Sequence, residues 1–107
     1  MSLAEKKCVP CEGGTQPLSS GEANQYYTEL NKEWQLKDQE ISRQFTFQDF
    51  KEAMAFVNKV ADIAESEGHH PDMYIFYNKV RLELTTHAIG GLSVNDFIVA
   101  AKVDRLS

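Results

Sequence analysis

At 107 residues the chain has room for one domain and one modest core, since a chain of this size buries around two thirds of the surface it exposes when unfolded. With 42% hydrophobic and 25% charged residues it has an ordinary soluble composition, and no apolar run approaches the roughly 18 to 20 residues of a membrane span. A net charge of -5 speaks against a nucleic-acid partner, which needs a basic face, and the lack of a secretory apolar stretch makes the cytoplasm the expected compartment.

Residues 1–16 show no apolar period and read as a poorly ordered N-terminal tail, with a single domain over 17–107. Within the tail, Cys8-Val9-Pro10-Cys11 is a C-x-x-C. A redox role needs a strand before it and a helix after it, and a zinc role needs a second ligand pair; neither context is present, so an exposed thiol pair is the simpler reading. Ser19 with Glu22 makes a capping box and Leu18 can staple to Ala23, predicting a first helix from Ser20 to about Asn31 that buries Tyr26, Tyr27 and Leu30. Trp34 and Leu36, a turn near Asp38-Gln39, then Ile41, Arg43, Phe45 and Phe47 in period two predict a hairpin. Thr46 as cap with Asp49 at N3 opens a second helix to about Glu67. Phe50, Ala53, Met54, Val57, Val60, Ala61 and Ala64 form its apolar stripe.

Gly68 suits the left-handed residue that closes a helix, and Pro71 biases His70 toward extended backbone, so His69 and His70 mark a helix-to-strand junction. Met73 to Tyr77 and Val80 to Thr85 alternate around Asn78-Lys79, a two-residue turn. That register pairs Ile75 with Leu82 and Tyr74 with Glu83. Continued through Pro71, it sets His70 opposite His87, with Tyr74 and Phe76 on their face. After Gly90-Gly91, Ser93 caps a last helix with Asp96 at N3. Thr46 to Phe50 and Ser93 to Phe97 share this grammar, so helix capping explains Asp96 without a catalytic role. The whole reads as an α+β fold, a four-stranded antiparallel sheet with three helices packed on one face, in the order α-β-β-α-β-β-α.

Glu65-x-x-x-His69-His70-Pro71, then Tyr77, then His87 after nine intervening residues and Asp96 after eight more, resembles the signature of the pterin-4a-carbinolamine dehydratases. The similarity extends to Phe45, Phe47, Asp49 and Phe50, to Tyr77 through Val80, and to Gly91-Leu92-Ser93. It departs at Gly68, where animal members carry an acidic residue. The resemblance implies the same fold, dehydration of a 4a-hydroxytetrahydropterin to a quinonoid dihydropterin, no cofactor, and homodimers or homotetramers. It casts His69, His70 and His87 as catalytic; Pro71 is expected beside the pterin, the register places Tyr74 to stack on it or to pack at a subunit contact, and Thr85 and Thr86 offer hydroxyls or strand amides to its amide edge. The chemistry suits imidazoles, which give and take protons near neutrality. Glu65, a carboxylate placed against the helix dipole in a last turn, reads as orienting a histidine, whereas Glu67 reads as solvated.

Two other classes compete. A histidine metal site is disfavoured because adjacent residues in extended chain point to opposite sides. An interaction protein is the alternative implied by a mammalian relative that serves as dimerisation cofactor of a transcription factor; such a partner would use the oligomer surface, and nothing in this sequence supports it.

Overall fold

The computed structural model describes residues 2–9, 16–37 and 39–106. Its elements are α1 (Ser20–Tyr27), β1 (Gln35–Lys37), β2 (Glu40–Thr46), α2 (Phe50–Glu67), β3 (Asp72–Phe76), β4 (Lys79–Leu84) and α3 (Val94–Asp104), with single 3-10 turns at Leu3–Glu5 and His87–Ile89. The strands form one antiparallel sheet in the order β1-β2-β4-β3. The expected α-β-β-α-β-β-α order is the observed one.

Local chemistry accounts for the helix ends. Ser19 Oγ accepts from the Glu22 N–H at 3.2 Å and Glu22 Oε1 from the Ser19 N–H at 3.0 Å, closing the capping box of α1. This helix stops at Tyr27, short of Asn31, because the N–H groups of Glu29 and Leu30 turn to the carbonyls three residues back. Thr46 does not cap α2. It stays in the ladder opposite Lys79, and Asp49 takes the cap instead, accepting from the Glu52 N–H at 2.9 Å. Gly68 ends α2 in the left-handed region at φ 66°.

The stripe Ala53, Phe56, Val57, Val60 and Ala64 packs α2 onto a core that holds Val80, Leu82 and Leu84 of β4 and Ile41 and Phe45 of β2. Phe50, which the period places in the stripe, is 49% exposed, and Phe56 does its work, contacting the Phe45 ring at 4.6 Å. α3 is buried along most of its length.

The second hairpin turns one residue earlier than the alternation predicts. Phe76 pairs with Lys79, so the loop is Tyr77-Asn78 and every partner moves by two residues: Ile75 faces Val80 and Tyr74 faces Arg81. Asn78 fixes this, because its carbonyl accepts from the Phe47 N–H at 2.7 Å and its amide donates to the Phe47 carbonyl at 3.1 Å. Tyr77 takes a left-handed φ of 52° as a result. A two-residue shift keeps each side chain on its face, so Val80, Leu82 and Leu84 stay on the core side, while Ile75 of β3 is 40% exposed. Nor does the hairpin reach His87. β4 ends at Leu84, Thr86 bridges to Gly91, and His87 begins a 3-10 turn closed by Gly90 at φ 70°.

Residues 2–9, expected in a poorly ordered tail, are packed. Leu3 is 1% exposed in the core and Lys102 Nζ donates to the Ala4 carbonyl at 2.9 Å. One leucine and a few backbone bonds anchor this segment, and neither leaves a periodic mark in sequence. Residues 10–15, Cys11 among them, lie outside the described residues. Among the described residues no helix is long and apolar enough to cross a membrane.

Candidate active site

An open cavity of about 690 Å³ lies at one end of the sheet, where α2 ends, β4 leaves the ladder and α3 begins. That volume suits a small organic ligand. Each of these elements sends residues into its lining: Glu65 through His70 from the last turn of α2 into the junction, Thr85 to Ala88 past β4, and Asn95 at the start of α3. All three histidines of the chain, His69, His70 and His87, line it. They are brought together by the helix-to-strand junction and the 3-10 turn, and not by facing each other across a hairpin.

His69 is the most constrained of the three. Its Nε2 lies 2.6 Å from Asp96 Oδ1, and Asp96 is fully buried. The other carboxylate oxygen accepts from the Ser93 N–H and the Thr86 hydroxyl, both at 2.9 Å. Asp96 therefore caps α3 as expected, and also binds a histidine, which capping did not foretell. A carboxylate partner requires the proton on Nε2, so Nδ1 is the nitrogen of His69 left to act. Three donors satisfy this buried carboxylate, which would otherwise be costly.

His70 and His87 are exposed on the cavity side. Glu65 Oε1 lies 3.7 Å from His70 Nε2, beyond hydrogen-bond distance, and both side chains are open to solvent, so the pair contributes little to stability.

The residues read as pterin-binding divide. Thr85 and Thr86 line the cavity, but their hydroxyls are committed, Thr85 to the Gln39 carbonyl and Thr86 to Asp96 and Ser93. Pro71 is buried and outside the lining. Tyr74 stands on the outer face of the sheet, 43% exposed, with its hydroxyl 3.3 Å from Glu83 Oε1. The Glu83 carboxylate beside it raises the Tyr74 pKa. Because β4 ends at Leu84 and His87 lies in a 3-10 turn, Tyr74 and Phe76 do not share a strand face with the histidines as expected.

Three contributors were not anticipated. Glu67, expected to be solvated, is half-buried with its side chain largely covered: its Oε1 accepts from the Cys8 N–H at 2.8 Å and its Oε2 lies 3.7 Å from Lys102 Nζ. The Cys8 N–H bond, first among several causes, holds the Glu67 carboxyl below its usual range. Cys8 and Val9 form part of the lining, Val9 tied to the Asn95 side-chain amide and the Cys8 thiol donating to the Asn95 backbone carbonyl. Burial pushes the Cys8 thiol up to about 12, the opposite of what a redox cysteine needs. Among the described residues no three His, Cys, Asp or Glu side chains form a group that could hold a metal ion.

The profile of the family described as Pterin 4 alpha carbinolamine dehydratase matches residues 16–106. A protein of Nitrosomonas eutropha, provisionally named pterin-4-alpha-carbinolamine dehydratase, is 57% identical over 97% of this chain and 92% of its own length. One from Alkaliphilus metalliredigens with the same provisional name is 50% identical over 97% of this chain and 95% of its own. The crystal structure of a transcriptional coactivator/pterin dehydratase from Brucella melitensis superposes with a TM-score of 0.79 at 32% identity, covering 85% of this chain and 98% of that one.

Proposed function

The chain belongs to the pterin 4 alpha carbinolamine dehydratase family, whose named activity is that of a hydro-lyase, and from that premise we propose that it dehydrates a 4a-hydroxytetrahydropterin by histidine acid-base catalysis. The observation that carries the reading is the convergence of His69, His70 and His87 on one cavity. The C4a–O bond breaks with its electron pair on oxygen, a proton delivered there makes it water, and loss of the N5 proton lets N5 form a double bond to C4a. The step is redox neutral. His70 is the principal acid-base group with Glu65 beside it, His87 is its partner, and His69, held by Asp96, binds the pterin or shares the proton transfer. Asp96 thus acts as a positioning residue.

The protein works in the cytoplasm as a homodimer or homotetramer. β3 is an edge strand with exposed Tyr74, Ile75 and Phe76, a surface suited to another copy. The same aromatic edge favours a second reading, an interaction protein, in line with the coactivator name of the Brucella neighbour.

The test is dehydration of 4a-hydroxytetrahydropterin followed by absorbance, with and without chelator. The expected result is a rate well above the spontaneous one and insensitive to chelator. A rate equal to the spontaneous one overturns the assignment, and loss of rate with chelator overturns the metal-free mechanism.

A further inference from the structure

The N-terminal segment enters the cavity although no family feature named above includes it. Leu3 anchors one end in the core, and Lys102 Nζ holds the Ala4 carbonyl at 2.9 Å. At the other end the Cys8 N–H donates to Glu67, while Asn95 closes a two-point clamp on Val9, accepting from its N–H at 3.1 Å and donating to its carbonyl at 2.5 Å. Both clamping side chains are buried. A carboxylate in the last turn of α2 opposes the helix dipole, and a buried amide is unfavourable unless bonded, so both residues are poorly placed for helix stability alone. Their common feature is the strap they hold.

We infer that Cys8 and Val9 form a substrate-binding wall of the cavity, and that Glu67 and Asn95 are positioning residues that keep it in place. The inference rests on the dehydratase reading and names what lies against the wall. Val9 is apolar and 60% exposed at the cavity, and the Cys8 thiol beside it is uncharged at neutral pH. A neutral, apolar strip beside three imidazoles fits the non-reacting part of a flat, uncharged heterocycle while the histidines address the atoms that exchange protons. The wall therefore contributes to binding equally before and during the reaction, which sets KM and leaves kcat.

The experiment measures kcat and KM for 4a-hydroxytetrahydropterin in wild type, Val9→Ala, Glu67→Ala and Glu67→Gln. Losing methyl groups from an apolar contact, or freeing the strap, should raise KM about tenfold with kcat within about twofold. Glu67→Gln keeps an acceptor oxygen for the Cys8 N–H and should stay near the wild-type KM. Val9 is exposed, so its variant folds even if Glu67→Ala does not. Wild-type KM in an active Val9→Ala protein would overturn the wall, and equal KM values for Glu67→Gln and a folded Glu67→Ala would overturn the positioning role. If wild type itself does not accelerate dehydration, the dehydratase reading fails and the wall with it.

Discussion

Asp96 divides its carboxylate between two tasks, and the division explains why a helix-capping aspartate can matter to chemistry. One oxygen takes the Ser93 N–H at the cap of α3 and the Thr86 hydroxyl from the segment after β4, and the other lies against the His69 ring. In Asp96→Asn the side chain keeps one acceptor and places an NH2 where the other was. Loss of an orienting partner of this kind costs roughly 10- to 100-fold in activity, so turnover should fall by that much. The melting temperature should fall too, since leaving buried donors poorly met costs about 1–3 kcal/mol. Steady-state kinetics on folded protein checks this; turnover within a few-fold of wild type would leave Asp96 a cap alone. The repeated pattern of Thr46 to Phe50 and Ser93 to Phe97 made the capping legible in sequence. It hid the second task, because a sequence pattern along one helix says nothing of what the outer oxygen meets across the fold. Glu67 was misread for the same reason: its partner, the Cys8 N–H, is remote in sequence.

At the level of elements, type was legible and boundaries were set by tertiary contacts. Periodicity marked α2 and the strands, and capping residues marked α1 and α3. Asn78 bonding to Phe47 moved the turn, and the Thr86–Gly91 bridge ended the hairpin before His87. Gly68 is the junction on which the site depends, since its left-handed φ of 66° swings the chain from α2 into His69 and His70. A Cβ there meets no neighbour, so Gly68→Ala should cost only the left-handed strain, about 1–2 kcal/mol, read as a lower denaturation midpoint with the fold intact. An unchanged midpoint would show that the turn tolerates a side chain. The strap has a pH window. Glu67, with its pKa lowered chiefly by the Cys8 N–H, stabilises the bound strap above the ordinary carboxylate range and loses that contribution as pH falls through it. Cys8, raised by burial to about 12, favours the packed strap below its ordinary pKa and loses that contribution as pH climbs toward the raised value. Amide exchange of Cys8 and Val9 should therefore be most protected between roughly pH 4.5 and 8.5. Equal protection factors at pH 3 and pH 6 would contradict the Glu67 anchor.

Over the whole molecule, one helix followed by two hairpin-plus-helix units builds a single sheet, and the site forms where the two units and the N-terminal segment meet. That architecture was readable from the hairpin alternation and the helix caps, and the gathering of the histidines from the motif they complete. The geometry behind the gathering was not, because it depends on a turn pinned by another strand and on a 3-10 turn beyond the ladder. The central claim is that His70 and His87 act together on one ligand in the cavity. It is tested most directly by turnover of 4a-hydroxytetrahydropterin in His70→Ala, His87→Ala and the double variant, each confirmed folded. Each single substitution should slow turnover by about 10²-fold or more, and the double should cost far less than the product of the two, because residues that work as a unit are not additive. Single losses that multiply cleanly would put the two histidines on separate tasks, and single variants as fast as wild type would contradict histidine catalysis in this cavity altogether.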